Sequence, residues 1–299
     1  AVSAPAVFQP APTLCPTSPA SMAEPVELEE PSFERIETRF GSIGALAHRR
    51  PPAAGRAPFA VVLAPGNPGV IECPIGKYHS HHPGLAAIAG ALRWAGVAFL
   101  QFDWTGILLS APGEPTGDVS RWQITDAIDP EWLYQDRGLG EVVAWAREQL
   151  SDRVVLCCWN WSGYAARDLV TSGTLHGFAS VSMPYNILMV AKNRGDERSY
   201  QRMKDHFEHF IPNAACRSLY VCGNQDAMCP IMHIRRLNKK RDSGEVTIHE
   251  VNQKGENRSS DDNFCMVGHE EEVAAVVVAW LGGLPQDPSA EHESRLIGA

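Results

Sequence analysis

From about residue 34 onward, short runs of apolar residues alternate with amphipathic stretches, and this alternation restricts the chain to an α/β sheet with helical crossovers. Phe59–Leu63, Val97–Phe102, Val154–Cys158, Gly177–Ser182, Ser218–Cys222 and Val246–Val251 read as strands. Buried parallel strands are apolar on both faces, which explains why Phe59–Leu63 and Val154–Cys158 contain no alternating polar residues. Leu85–Ala95, Leu139–Leu150, Ser162–Thr171, Pro230–Lys240 and Glu270–Leu281 carry helical spacing. Arg35–Phe40 and Ile43–His48, on either side of Gly41-Ser42, read as an opening hairpin. The expected fold class is therefore α/β, a mostly parallel sheet with helices on both faces. A polar, helix-prone insertion at about 186–213 is expected to form a short helical cap.

Three parts follow from the composition shifts. Residues 1–33 form an extended N-terminal arm, whose first 23 residues are uncharged and contain five prolines. Residues 34–283 form the α/β domain, and 284–299 a polar C-terminal tail. A chain that is 44% hydrophobic has enough apolar surface to build a core over that central span. The net charge of −9, with Lys and Arg scattered, argues against nucleic acid as a partner. No apolar run reaches the roughly 18–20 residues of a transmembrane helix. Eight cysteines without a CxxC pair read as free thiols of an intracellular, reducing compartment, with an organelle open.

In a sheet of this kind a site lies at the carboxyl ends of the strands. The segment Val154-Val155-Leu156-Cys157-Cys158-Trp159-Asn160-Trp161-Ser162-Gly163-Tyr164 runs from a strand through a sharp turn into a helix of small residues. It resembles the nucleophile elbow of the α/β-hydrolase fold superfamily, where G-x-S-x-G presents a serine on a strained turn. Strand and helix nearly touch there, so the residues two before and two after the nucleophile must be small. Centring on Asn160 puts Cys158 and Ser162 at those positions. Centring on Ser162 puts Asn160 and Tyr164 there, a poor fit. The resemblance thus implies a divergent member with asparagine at the nucleophile position.

The resemblance carries over to three further segments. Ser218–Asp226 is similar to the strand and G-x-x-D segment that supplies the acid, implying Asp226. Val267-Gly268-His269-Glu270 is similar to the G-H before the last helix, implying His269 as base. The oxyanion-hole candidates are the backbone N–H of Trp161 and that of Asn67, the latter in the Pro65-Gly66-Asn67-Pro68-Gly69 turn.

An amide nitrogen is no nucleophile, because its lone pair is delocalised into the carbonyl. The expectation is a hydrolase-derived pseudoenzyme, acting as an accessory or scaffolding subunit with protein partners in a larger assembly. Trp159 and Trp161 on either side of Asn160 are expected to crowd its cavity. Two alternatives stay open. One is a non-hydrolytic enzyme of lyase or cofactor-free oxygenase type, using the His269/Asp226 dyad as general base on a small molecule. The other is a serine hydrolase using Ser162. No nucleotide fingerprint occurs, so no cofactor is expected. His79, His81 and His82 read as a solvated loop rather than a metal site.

Overall fold

The computed structural model describes residues 27–55, 57–66, 82–104, 138–160, 162–185, 195, 197–241, 245–254 and 265–285. Within them lies one eight-stranded sheet. Its strands are β1 (Ser32–Thr38), β2 (Gly41–His48), β3 (Ala60–Ala64), β4 (Phe99–Phe102), β5 (Val154–Trp159), β6 (Gly177–Val181), β7 (Arg217–Gly223) and β8 (Val246–Val251). They lie side by side in the order β1-β2-β4-β3-β5-β6-β7-β8. β1, β2 and β4 pair antiparallel, and every neighbour from β4 through β3 to β8 is parallel.

Parallel neighbours need a crossover, and helices supply it. They are α1 (Pro83–Trp94), α2 (Leu139–Gln149), α3 (Ser162–Ala165), α4 (Arg167–Thr171), α5 (Glu197–Phe210), α6 (Ile231–Asn238) and α7 (Glu270–Gly282). The stretch expected as one helix from Ser162 is two short ones around Ala166.

Because side chains alternate across a strand, the core divides into two clusters. Val154, Leu156 and Cys158 face one way, with Leu139, Val142, Val170, Phe207, Phe210 and Ile234 from α2, α4, α5 and α6. Val155, Cys157 and Trp159 face the other, with Leu85, Ile88, Val273 and Val277 from α1 and α7. All of β3, β5 and β6 is buried, so the sheet centre is dry on both sides.

Three local outcomes differ from the sequence reading. The hairpin turns at Arg39-Phe40, with Thr38 opposite Gly41, two residues earlier than expected. The Thr38 hydroxyl sets it, accepting from the Phe40 N–H at 3.1 Å and donating to the Gly41 carbonyl at 2.6 Å. β1 also begins earlier, at Ser32, where the Arg49 guanidinium ties Ser32 and Glu34 to the end of β2. Third, the expected cap segment contributes α5, which is the crossover between β6 and β7 and sets Phe207 and Phe210 into the core. Residues 186–194 and 196 of that segment lie outside the described residues, as do residues 1–26 of the arm and 286–299 of the tail.

Among the described residues no helix is long and apolar enough to cross a membrane. No group of three or more His, Cys, Asp or Glu among them could hold a metal ion. Cys157, Cys158, Cys216, Cys222 and Cys229 are free thiols and buried, and Cys265 is buried as well.

Candidate functional site

β5 and β6 end level with one another, Trp159 opposite Val181, β7 runs two residues further to Gly223, and the candidate residues follow those ends. Asn160 comes directly after β5, with φ of 50°, in the left-handed region. Asparagine enters that region more readily than most residues, since its short amide side chain tolerates it. The Asn160 N–H donates to the Val181 carbonyl at 2.8 Å, fixing the turn to the end of β6. Its side chain is fully buried, and among the described residues neither Oδ1 nor Nδ2 has a hydrogen-bond partner.

Ser162 is built differently. It is the first residue of α3, fully buried, and its hydroxyl lies 2.9 Å from the Ala64 carbonyl and 3.0 Å from the Trp159 carbonyl. A hydroxyl in that position ties β3, β5 and α3 together. Cys158 is a buried core thiol, and desolvation pushes its ionisation well above the ordinary range.

Trp159 does not lie beside Asn160 as a cavity plug of the expected kind. Strand alternation sends it into the cluster under α1 and α7, where it is fully buried. Its ring covers Gly84 so closely that a Cβ there would lie 2.1 Å from the indole. The His82 ring packs on it at 4.8 Å, and His82 Nδ1 accepts from the Gly84 N–H at 3.1 Å. His82 is thus the buried N-cap of α1, with Pro83 at the first helical position. Trp161, Asn67, His79 and His81 lie outside the described residues.

Asp226 follows β7 in a turn that its own carboxylate organises. Oδ1 accepts from the N–H groups of Met228 at 2.8 Å and Cys229 at 2.9 Å. Gln253 lies across the same strand end, and a Cβ at Gly223 would come within 2.0 Å of its Oε1. Asp226 is 5% exposed, and its Oδ2 has no hydrogen-bond partner among the described residues. Burial pushes its ionisation up to about 6, against the pull of the Cys229 and Met228 N–H groups. The Ser182 hydroxyl beside it pulls the same way but closes no hydrogen bond in this geometry. Ser182 follows β6 with φ of 48° and is itself fully buried.

His269 is the N-cap of α7, in a turn with left-handed Met266 (φ 56°) and Gly268 (φ 77°). No hydrogen bond joins it to Asp226, whose described partners are Met228 and Cys229. Instead His269 Nδ1 lies 3.3 Å from Glu272 Oε2, one turn along the same helix. The other oxygen, Glu272 Oε1, is 3.1 Å from His249 Nε2 on β8. Glu272 and His249 were not singled out in the sequence. The signal was available: Glu272 stands three residues after His269 on a helix, a spacing that lets side chains meet.

Solved structures with this arrangement of strands and helices are numerous. Est1E from Butyrivibrio proteoclasticus, with ferulic acid bound, matches at TM-score 0.58 and 15% identity over 84% of this chain and 98% of that one. A lidless α/β serine hydrolase from Xanthomonas campestris matches at 0.53 and 14%, over 88% and 100%. Mouse α/β hydrolase domain-containing protein 10 matches at 0.53 and 11%, over 85% and 100%. The chain has the α/β-hydrolase fold. No family model matches the sequence, nor does any curated protein. At identities this low the likeness establishes the fold and leaves the chemistry to the residues. Within an α/β-hydrolase fold, Asn160, Asp226 and His269 follow β5, β7 and β8 in that order.

Proposed function

We propose that the chain is a hydrolase-derived protein that performs no acyl-enzyme hydrolysis and serves as an accessory or scaffolding subunit of a larger assembly. The observation that carries the reading is Asn160, fully buried and left-handed at the turn between β5 and α3. Acyl transfer needs a hydroxyl or thiol there that can lose its proton to a base and attack; a carboxamide does neither. Two further features agree. Asp226, the expected orienter of the base, is buried where charge is disfavoured, and its Oδ1 already accepts from two backbone N–H groups. The Ser162 hydroxyl already faces two main-chain carbonyls inside the core.

A fluorophosphonate probe applied to the full chain tests the catalytic half of the proposal. No covalent adduct is expected, and Ser162→Ala leaves that result unchanged while lowering stability by about 1 kcal/mol through the lost hydrogen bond. An adduct at Ser162 overturns the reading. Native mass measurement on the protein from its source tests the other half. A defined larger assembly is expected, and a free monomer refutes the subunit role.

One observation favours a second reading, that of a non-hydrolytic enzyme with His269 as general base. The His269 Nδ1–Glu272 Oε2 contact of 3.3 Å supports it, with Glu272 rather than Asp226 orienting the base.

A further inference from the structure

At the opposite end of the strands, a cleft of about 290 Å³ opens between the end of β2, the approaches to β3 and β4, and the end of α2. Among the described residues its charged lining is Arg49 and Arg50, its apolar lining includes Ala57, Ala98 and Leu150, and no lining residue is acidic. The two arginines are not equivalent. Arg49 is committed: its guanidinium pairs with Glu34 at 2.9 Å, bonds Ser32 and lies 5.6 Å over the Trp145 ring. Arg50 is partly buried, yet it forms no ion pair among the described residues, and its Nε is buried with no hydrogen-bond partner. A guanidinium N–H removed from water without an acceptor is unfavourable, and an anion that accepts from Nε removes that penalty.

We propose that this cleft binds a short-chain organic carboxylate, its head group on the Arg50 guanidinium and its hydrocarbon tail against Ala57, Ala98 and Leu150. The planar fork of arginine matches the two oxygens of a carboxylate. The apolar lining selects an anion carrying hydrocarbon over a fully hydrated one. The volume stands at the small end of ligand cavities, which limits the tail to a few carbons. The site lies a strand's length, roughly 17 Å, from the elbow. It does not depend on whether Asn160 has replaced a nucleophile.

Isothermal titration of the full chain with sodium hexanoate, hexanamide and inorganic phosphate at neutral pH tests the proposal. Saturable hexanoate binding is expected, with no binding of hexanamide or phosphate under the same conditions. Arg50→Gln is expected to weaken hexanoate about ten-fold or more, because a charge-assisted pair of hydrogen bonds is lost. Gln149→Glu, an exposed change on the cleft wall, weakens it by adding a negative charge beside the head group. An unchanged melting temperature in Gln149→Glu separates that effect from misfolding. The proposal is overturned if hexanoate does not bind, binds Arg50→Gln equally well, or is matched by phosphate or hexanamide.

Discussion

Replacing Asp226 with asparagine should make the protein more stable above pH 6. The carboxyl is 5% exposed and burial has raised its ionisation from 3.8 to about 6. The folded state therefore favours the protonated form. The associated stabilisation is present in full below 3.8 and is lost as pH rises through about 6. At roughly 1.4 kcal/mol per pH unit, the gap of about two units means that ionised Asp226 disfavours folding by about 3 kcal/mol at pH 8. Asparagine keeps an oxygen for the Met228 and Cys229 N–H groups and cannot ionise, so it retains the turn and removes the penalty. Urea unfolding of both proteins, followed by far-ultraviolet circular dichroism from pH 4 to 8, yields the difference curve. It should be near zero at pH 4 and climb to about 3 kcal/mol in favour of Asp226→Asn at pH 8. A flat curve, or a variant less stable at pH 8, would refute the argument that burial disfavours this charge. The same physics bears on function, since a carboxylate that orients an imidazolium must itself be charged.

Two other substitutions probe the elbow. Asn160→Gly should be more stable than Asn160→Ala by about 1 kcal/mol in chemical denaturation, because a φ of 50° strains alanine but not glycine; equal stabilities would mean the turn relaxes to negative φ. Gly84→Ala should lower the melting temperature by an overpacking cost of about 3 kcal/mol, since its Cβ meets the Trp159 ring at 2.1 Å. Adding Trp159→Leu should recover part of that loss, and additive effects would show that the two residues do not share a contact.

The central strands β3, β5 and β6 were legible because each is a compact apolar run, and a run buried on both faces has few alternatives to a central strand. The position of the turn after β5 was legible for a steric reason: Cys158 and Ser162 are small on either side of left-handed Asn160. What remained hidden depended on direction. That Trp159 packs under α1 follows from its parity with Val155 and Cys157 along β5, but only once the two faces have been given their helices. The hairpin turn depended on one Thr38 hydroxyl, which composition does not weigh. The order of strands suggested Asp226 as the partner of His269, and the contact recorded at His269 Nδ1 is a different one. An intrahelical neighbour, Glu272, makes the contact through side-chain reach, which strand order does not encode.

The left-handed backbone at Asn160 has a wider consequence. A buried parallel strand that must hand over to a helix within two residues needs an abrupt change of direction, and a positive φ supplies it whichever side chain sits there. The conformation is therefore a property of the connection, retained for as long as β5 feeds α3. Turn shape alone then cannot serve as a detector of catalysts among chains of this architecture: it identifies the place where attack could originate, and only the atom carried there decides whether it does.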